Sequence, residues 1–184
     1  MEPETPYQKV ERFHRTFDPR IPERPTAFTK KHADDRAGFK IEELVEFVAA
    51  ASDGDAKKLH DSVQYLHDAL DQAEKKILTK QNWGEESLVE QVDALTDLLY
   101  FTYGSFSLLG VDPTRIIDIV HQANMGKLFP DGKPHYDPVT NKVLKPDNWQ
   151  KDYAPEERIA KEINEQMKKA ERVKFAEENS STSL

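Results

Sequence analysis

Six carboxylates of the sequence fall into two tight groups. Glu42, Glu43 and Glu46 stand within IEELVEF at residues 41–47, and Glu90, Asp93 and Asp97 lie at i, i+3 and i+7 in EQVDALTDLLYFTYG. On a helix, each group falls within one or two turns. Like charges so placed repel one another, cheaply on a solvated face and at real cost in a cleft, where a cation must offset them. Ile41, Leu44, Val45 and Val48 lie opposite the first group, which alone reads as an ordinary solvated face, yet Phe39, Phe47 and Ala50 fall among the glutamates. The second group leads into Leu95, Leu98, Leu99, Tyr100, Phe101, Tyr103 and Phe106, with no charge between Asp97 and Asp112 and no Lys or Arg to pair with. Acids there are expected to be shielded from bulk water, which is costly unless they are paired or coordinated. Two such helices are able to gather four carboxylates around a hard divalent cation. Magnesium takes oxygen ligands, keeps several waters and commonly meets a substrate's phosphates.

The elements that must position these acids read as helices. Val10, Phe13 and Phe17 are spaced for a short helix over 6–17, and the three prolines of DPRIPERPT (18–26) require an extended connection. A helix is expected from about Asp34 through IEELVEFVAAA to a stop at Gly54. Leu59, Val63, Leu66, Leu70, Ala73 and Ile77 then mark a one-sided amphipathic helix. Glu90 to Leu109 is apolar almost all round beyond Asp97, which predicts a helix central in a bundle and ended by Gly110. Asp112 as N-cap and Pro113 at the first position open the next helix. Residues 129–149 (FPDGKPHYDPVTNKVLKPDNW) are rich in Pro, Gly and Asp; VTNKV suggests a small turn or hairpin, and so long a loop marks a functional or mobile segment. A last polar helix with the narrow stripe Ile159, Ile163, Met167, Ala170 and Val173 is expected to dock loosely before EENSSTSL frays. The expected fold is all-α: a bundle of about four to six helices with a long irregular C-terminal loop. We expect one domain over residues 1–150, with 151–184 as a C-terminal helix and tail belonging to it or appended.

These acids, EE-x-x-E followed by DALTDLLY on a later helix, resemble the MazG-like all-α nucleoside triphosphate pyrophosphohydrolases, the superfamily of phosphoribosyl-ATP pyrophosphohydrolase and the dimeric dUTPases. The first half of the family pattern, E-x-x-E, falls on Glu43 and Glu46, with Glu42 as the extra glutamate. The second half, E-x-x-D, departs from it. Asp97 precedes the apolar LLY, but Ala94 stands three residues earlier; either Asp93 replaces the missing glutamate, or the literal pair Glu90 and Asp93 applies one turn earlier. His121, Asn124 and Lys127 in H-x-x-N-x-x-K, then PDGKP and KVLKPDNW, resemble the C-terminal signature of a subgroup of these enzymes, and the likeness covers roughly residues 7–150. The resemblance implies a magnesium- or manganese-dependent cytoplasmic homodimer with sites near the subunit interface. It would cleave a nucleoside triphosphate, dUTP or a non-standard nucleotide in a house-cleaning role, to the monophosphate and pyrophosphate. By the same resemblance Glu43, Glu46, Asp93 and Asp97, with Glu42 or Glu90, would ligate the metal. Glu43 or Glu42 would activate the attacking water, and Asn124, Lys127, Lys145 and Arg36 or Lys40 would hold the nucleotide.

Composition narrows the field further. The 184 residues are 37% hydrophobic and 33% charged with a net charge of −8, and no basic stripe suited to nucleic acid is present. Without cysteine, disulfides and thiolate metal sites are excluded. No basic-then-apolar leader opens the sequence, and LLYFTYGSFSLLG is too short and polar to span a bilayer, so a soluble cytoplasmic protein is expected. Two other readings compete. Glu11-x-x-His14 and Asp118-x-x-His121 echo the acid-x-x-His pairs of di-iron carboxylate bundles. A non-enzymatic helical scaffold, whose acids are merely solvated, is the other.

Overall fold

A computed structural model describes residues 3–18, 20–80, 82–140 and 142–181, with side-chain surroundings through residue 176. Parts of four expected segments (Pro19 in the proline-rich connection, Gln81 in KQNWGEES, Asn141 in VTNKV and residues 182–184 of the tail) lie outside them. The fold is all-helical: α1 (Pro6–Phe17), α2 (Lys30–Ala50), α3 (Ala56–Leu78), α4 (Ser87–Leu109), α5 (Thr114–Met125), the single turn α6 (Trp149–Asp152) and α7 (Glu156–Ser181). Among the described residues the only extended pairing is one antiparallel bridge, Tyr136 to Val143. No helix there is long and apolar enough to cross a membrane.

The chain divides into two compact units, one of Met1–Pro22 with Tyr100–Leu184, the other of Glu23–Leu99. In the first, α5 packs against α1 and α7. Thr5 and Gln8 form a reciprocal capping box at the start of α1, and Pro6 fills the first turn, where its missing N–H is not needed. Phe17, Ile116, Ile119, Ala123 and Trp149 are the buried apolar core. α5 starts at Thr114 with Pro113 as its N-cap residue and no side-chain cap, which corrects the expectation that Asp112 caps the helix and Pro113 opens it; Asp112 instead turns the chain just before the helix. Its carboxylate accepts from both the Thr114 amide and hydroxyl, at 2.9 and 2.6 Å, and these bonds hold its pKa below the usual carboxylate value. On α7, Glu162 meets Arg115, Gln166 exchanges two hydrogen bonds with the backbone of Asp112, and Ile159 and Ile163 are half-buried. Met167 and Val173 are exposed, so the apolar stripe docks only over its first turns; the helix nonetheless runs on to Ser181, through residues expected to fray.

In the second unit, α2 begins at Lys30, a turn earlier than its pattern suggested, because Thr29 caps it by accepting from the His32 amide. Asp53 and Gly54, both at positive φ, turn the chain into α3, which Asp55 caps and which packs back on α2 through half-buried Leu59, Val63 and Leu66. Neither α2, α3 nor α4 buries any side chain completely. That corrects the expectation that α4 is central: within one chain its Leu99 is 55% exposed, and of its residues that belong to the first unit Leu108 is 92% exposed, Tyr100 75% and Phe101 71%.

Candidate active site

The acids of the first group lie on the middle turns of α2, where Glu42, Glu43 and Glu46 are all exposed. One turn N-terminal, the Arg36 guanidinium lies 5.5 Å from the centre of the Phe39 ring. Its carbonyl accepts from Lys40 at 3.0 Å, and burial, with Arg36 nearby, lowers the Lys40 pKa. On α4, Asp93 and Asp97 are exposed, which corrects the expectation that the apolar run shields them from water within one chain. Asp93 lines an open depression with Leu88, Val89, Val92 and Thr96.

Glu90 behaves differently. Its carboxylate accepts from the Gly84 amide at 2.8 and 3.0 Å and from the Glu86 amide at 3.2 Å, closing the turn that enters α4. A carboxylate at a helix start also meets the positive end of the helix dipole. Beside it, Gln91 accepts from the Phe28 amide at 2.8 Å and donates to the Phe28 carbonyl at 3.2 Å, tying the segment before α2 to α4. Sequence reasoning missed this clamp; a half-buried glutamine within the acidic segment carries no signal of a partner 63 positions away.

Several helix acids are paired with a cation one turn away. Asp34, Asp35 and Asp61 each pair with a lysine one turn earlier, and Glu11 with an arginine one turn later. None of the ion pairs among the described residues involves Glu43, Glu46, Asp93 or Asp97. Nor do any three His, Asp or Glu side chains there stand close enough to hold one ion as placed. The donor set, all carboxylate oxygen, suits a hard cation such as magnesium and not a thiolate- or imidazole-seeking metal.

Of the predicted nucleotide-binding residues, Arg36 and Lys40 lie on α2, and Asn124, Lys127 and Lys145 occupy the other unit. Lys127 donates to the Asn124 side-chain oxygen at 2.8 Å, so the two sit together at the C-terminal end of α5, where the helix dipole favours a cation. Lys145 lies 3.8 Å from the centre of the Trp149 ring, whose indole N–H donates to the Ala123 carbonyl at 2.7 Å. Lys145 is thereby returned to the end of α5 that carries Asn124. The intervening loop folds on itself: Asp137 accepts from the amides of Val139 and Thr140, and the Tyr136–Val143 bridge makes the small hairpin suggested by VTNKV. The Tyr136 hydroxyl donates to the Phe17 carbonyl at 2.6 Å and pins this hairpin to the end of α1. Gly126 leaves room for Tyr153, since a Cβ there would run into its ring. Neither contact is written in local sequence pattern.

The acid–histidine pairs that suggested di-iron are otherwise engaged. His14 bonds the Val10 carbonyl and Glu11 pairs with Arg15, while Asp118 meets Lys9 and His121 meets Arg12. Two cations stand where an iron site would need open ligands.

The sequence profile of phosphoribosyl-ATP pyrophosphohydrolase matches residues 10–124. A crystal structure of a candidate NTP pyrophosphohydrolase from Exiguobacterium sp. 255-15 is 38% identical and superposes with a TM-score of 0.82, over 92% of this chain and 99% of that one. No curated protein matches. The chain belongs to the phosphoribosyl-ATP pyrophosphohydrolase family, within the MazG-like superfamily, and is a hydrolase acting on pyrophosphate bonds.

Proposed function

We propose that the protein is a magnesium-dependent nucleoside triphosphate pyrophosphohydrolase that releases a nucleoside monophosphate and pyrophosphate, working in the cytoplasm as a homodimer. One observation carries the metal reading: among the described residues Glu43 and Glu46 on α2, and Asp93 and Asp97 on α4, stand about one turn apart with no ion-pair partner, while Asp34 and Asp35 at the start of α2 are each paired with a lysine. Bound magnesium would supply charge neutralisation for the phosphates and for these acids. Glu43 and Glu46 from α2, and Asp93 and Asp97 from α4, would hold it. Glu90 is left out of that set because its oxygens already serve the Gly84 and Glu86 amides. Glu43, or Glu42 beside it, orients a water toward the α-phosphorus and takes its proton. On the family resemblance, Lys127 and Lys145 would meet phosphate oxygens, Arg36 would supply a further cation, and Asn124 would hydrogen-bond the nucleotide.

The homodimer is supported by α4. Asp93 and Asp97 continue at helical spacing into Phe101, Gly104 and Leu108, one stripe that is acidic in its first half and apolar in its second. So large an apolar face on a chain with a net charge of −8 is unusual for a monomer. A second copy covering its apolar half would set the acids at the edge of the interface.

Turnover of Glu46→Gln and Asp97→Asn, with magnesium, tests the metal reading. Each isosteric change removes one charge and is expected to lower kcat by about a hundredfold or more. Near wild-type turnover in either overturns it. A pyrophosphate-release screen across natural and modified triphosphates, dUTP and phosphoribosyl-ATP included, names the substrate.

A further inference from the structure

The contact between α1 and α5 is polar at its centre. His121, only 8% exposed, places Nε2 2.8 Å from the Arg12 guanidinium. A guanidinium only donates, so Nε2 is the acceptor and the ring is neutral, with its proton on Nδ1. Arg12 also pairs with Glu4 at 2.9 Å, and one turn away the buried oxygen of Asp118 is in ionic contact with Lys9. The charged groups around His121 are therefore Arg12, Lys9 and Glu4 from the N-terminal segment and Asp118 from α5 itself. From α7, the other helix packed on α5, Arg158 meets Gln122 and Glu162 meets Arg115. Three residues beyond His121 stands Asn124, bonded to Lys127.

We propose that Arg12 and His121 are positioning residues for the nucleotide-binding end of α5. The guanidinium, donating to a neutral imidazole, latches α1 to α5 and fixes the turn that presents Asn124 and Lys127. This inference rests on the function proposed above for those two residues. Burial first, and Arg12 second, hold the His121 pKa below its ordinary value, so the latch stays closed through neutral pH. Protonation at acid pH sets an imidazolium against a guanidinium, and the latch opens.

The test uses the full-length protein and the triphosphate with the fastest pyrophosphate release. Arg12→Met and His121→Phe keep the packing stems but lose the hydrogen bond. Both are expected to raise KM by up to about a hundredfold with a smaller change in kcat. His121→Gln offers an uncharged acceptor. It is expected to keep the wild-type KM at neutral pH and to abolish the rise in KM that wild type shows on acidification. Hydrogen exchange of the α1 amides, corrected for intrinsic rates, should quicken in Arg12→Met and, on acidification, in wild type but not in His121→Gln. An unchanged KM in Arg12→Met and His121→Phe, while Lys127→Ala raises it, overturns this inference and leaves the functional reading standing. An unchanged KM in Lys127→Ala and Asn124→Ala overturns the nucleotide-binding role proposed for those two residues, and with it this inference.

Discussion

Leu108 and Val139 make a matched pair for testing the homodimer. Within one chain Leu108 on α4 is 92% exposed and Val139 at the hairpin turn is 90% exposed. Replacing either by glutamate should change the stability of an isolated chain by less than about 0.5 kcal/mol, since neither touches a core. If α4 pairs with its copy, the two changes part company. Leu108→Glu then forfeits about 2 kcal/mol of apolar burial per chain. It also drives a carboxylate toward an apolar interface, at a further cost of several kcal/mol unless its pKa rises. Two-fold symmetry repeats the loss, so the dimer is weakened by about 5 kcal/mol or more. At about 1.4 kcal/mol per tenfold, dissociation rises at least about a thousandfold. Sedimentation equilibrium of wild type, Leu108→Glu and Val139→Glu over a range of concentrations reads this directly. The wild type and Val139→Glu should be dimers and Leu108→Glu a monomer. A monomeric wild type, or a Leu108→Glu dimer as tight as wild type, refutes the reasoning.

Two further expectations concern the loop that carries Lys145. Trp149→Phe leaves the Ala123 carbonyl without its 2.7 Å partner, a loss of about 1–3 kcal/mol for a buried acceptor. Thermal unfolding followed by circular dichroism should move down by several degrees, at about 2–4 °C per kcal/mol for a chain of this size, and an unmoved transition refutes the role given to the indole. Hydrogen bonds from the Thr140 amide, its hydroxyl and the Val139 amide hold the Asp137 carboxyl below its ordinary pKa. A folded-state pKa below the unfolded one means a contribution present above about pH 4 and lost as pH falls through the folded value. The nuclear magnetic resonance signals of Val139 and Thr140 should therefore hold steady at mildly acid pH and shift together below it; a shift centred above about pH 5 contradicts the assignment.

Helix identity was legible because it is local. The spacing of Val10, Phe13 and Phe17, the stripe from Leu59 to Ile77 and the stop at Gly110 each act within a turn or two of chain, and α1, α3 and α4 lie within three residues of where such signals put them. The Asn124–Lys127 contact is local in the same way, joining side chains three positions apart at the C-terminal end of α5. Whether α4 is covered was not legible, because an apolar face looks the same in sequence whether its own chain or a second copy lies against it. The pairing of Gln91 with Phe28, of Arg12 with His121, of Tyr136 with Phe17 and of Trp149 with Ala123 joins residues 26 to 119 positions apart. Only the tertiary structure decided these, because a hydrogen bond across such a separation depends on where packing brings two backbones, and no periodicity along the chain encodes that. The same holds for Glu90. Its place in an acidic motif was plain from the sequence, but two backbone amides of a preceding turn had claimed its carboxylate, and turn geometry is settled in three dimensions.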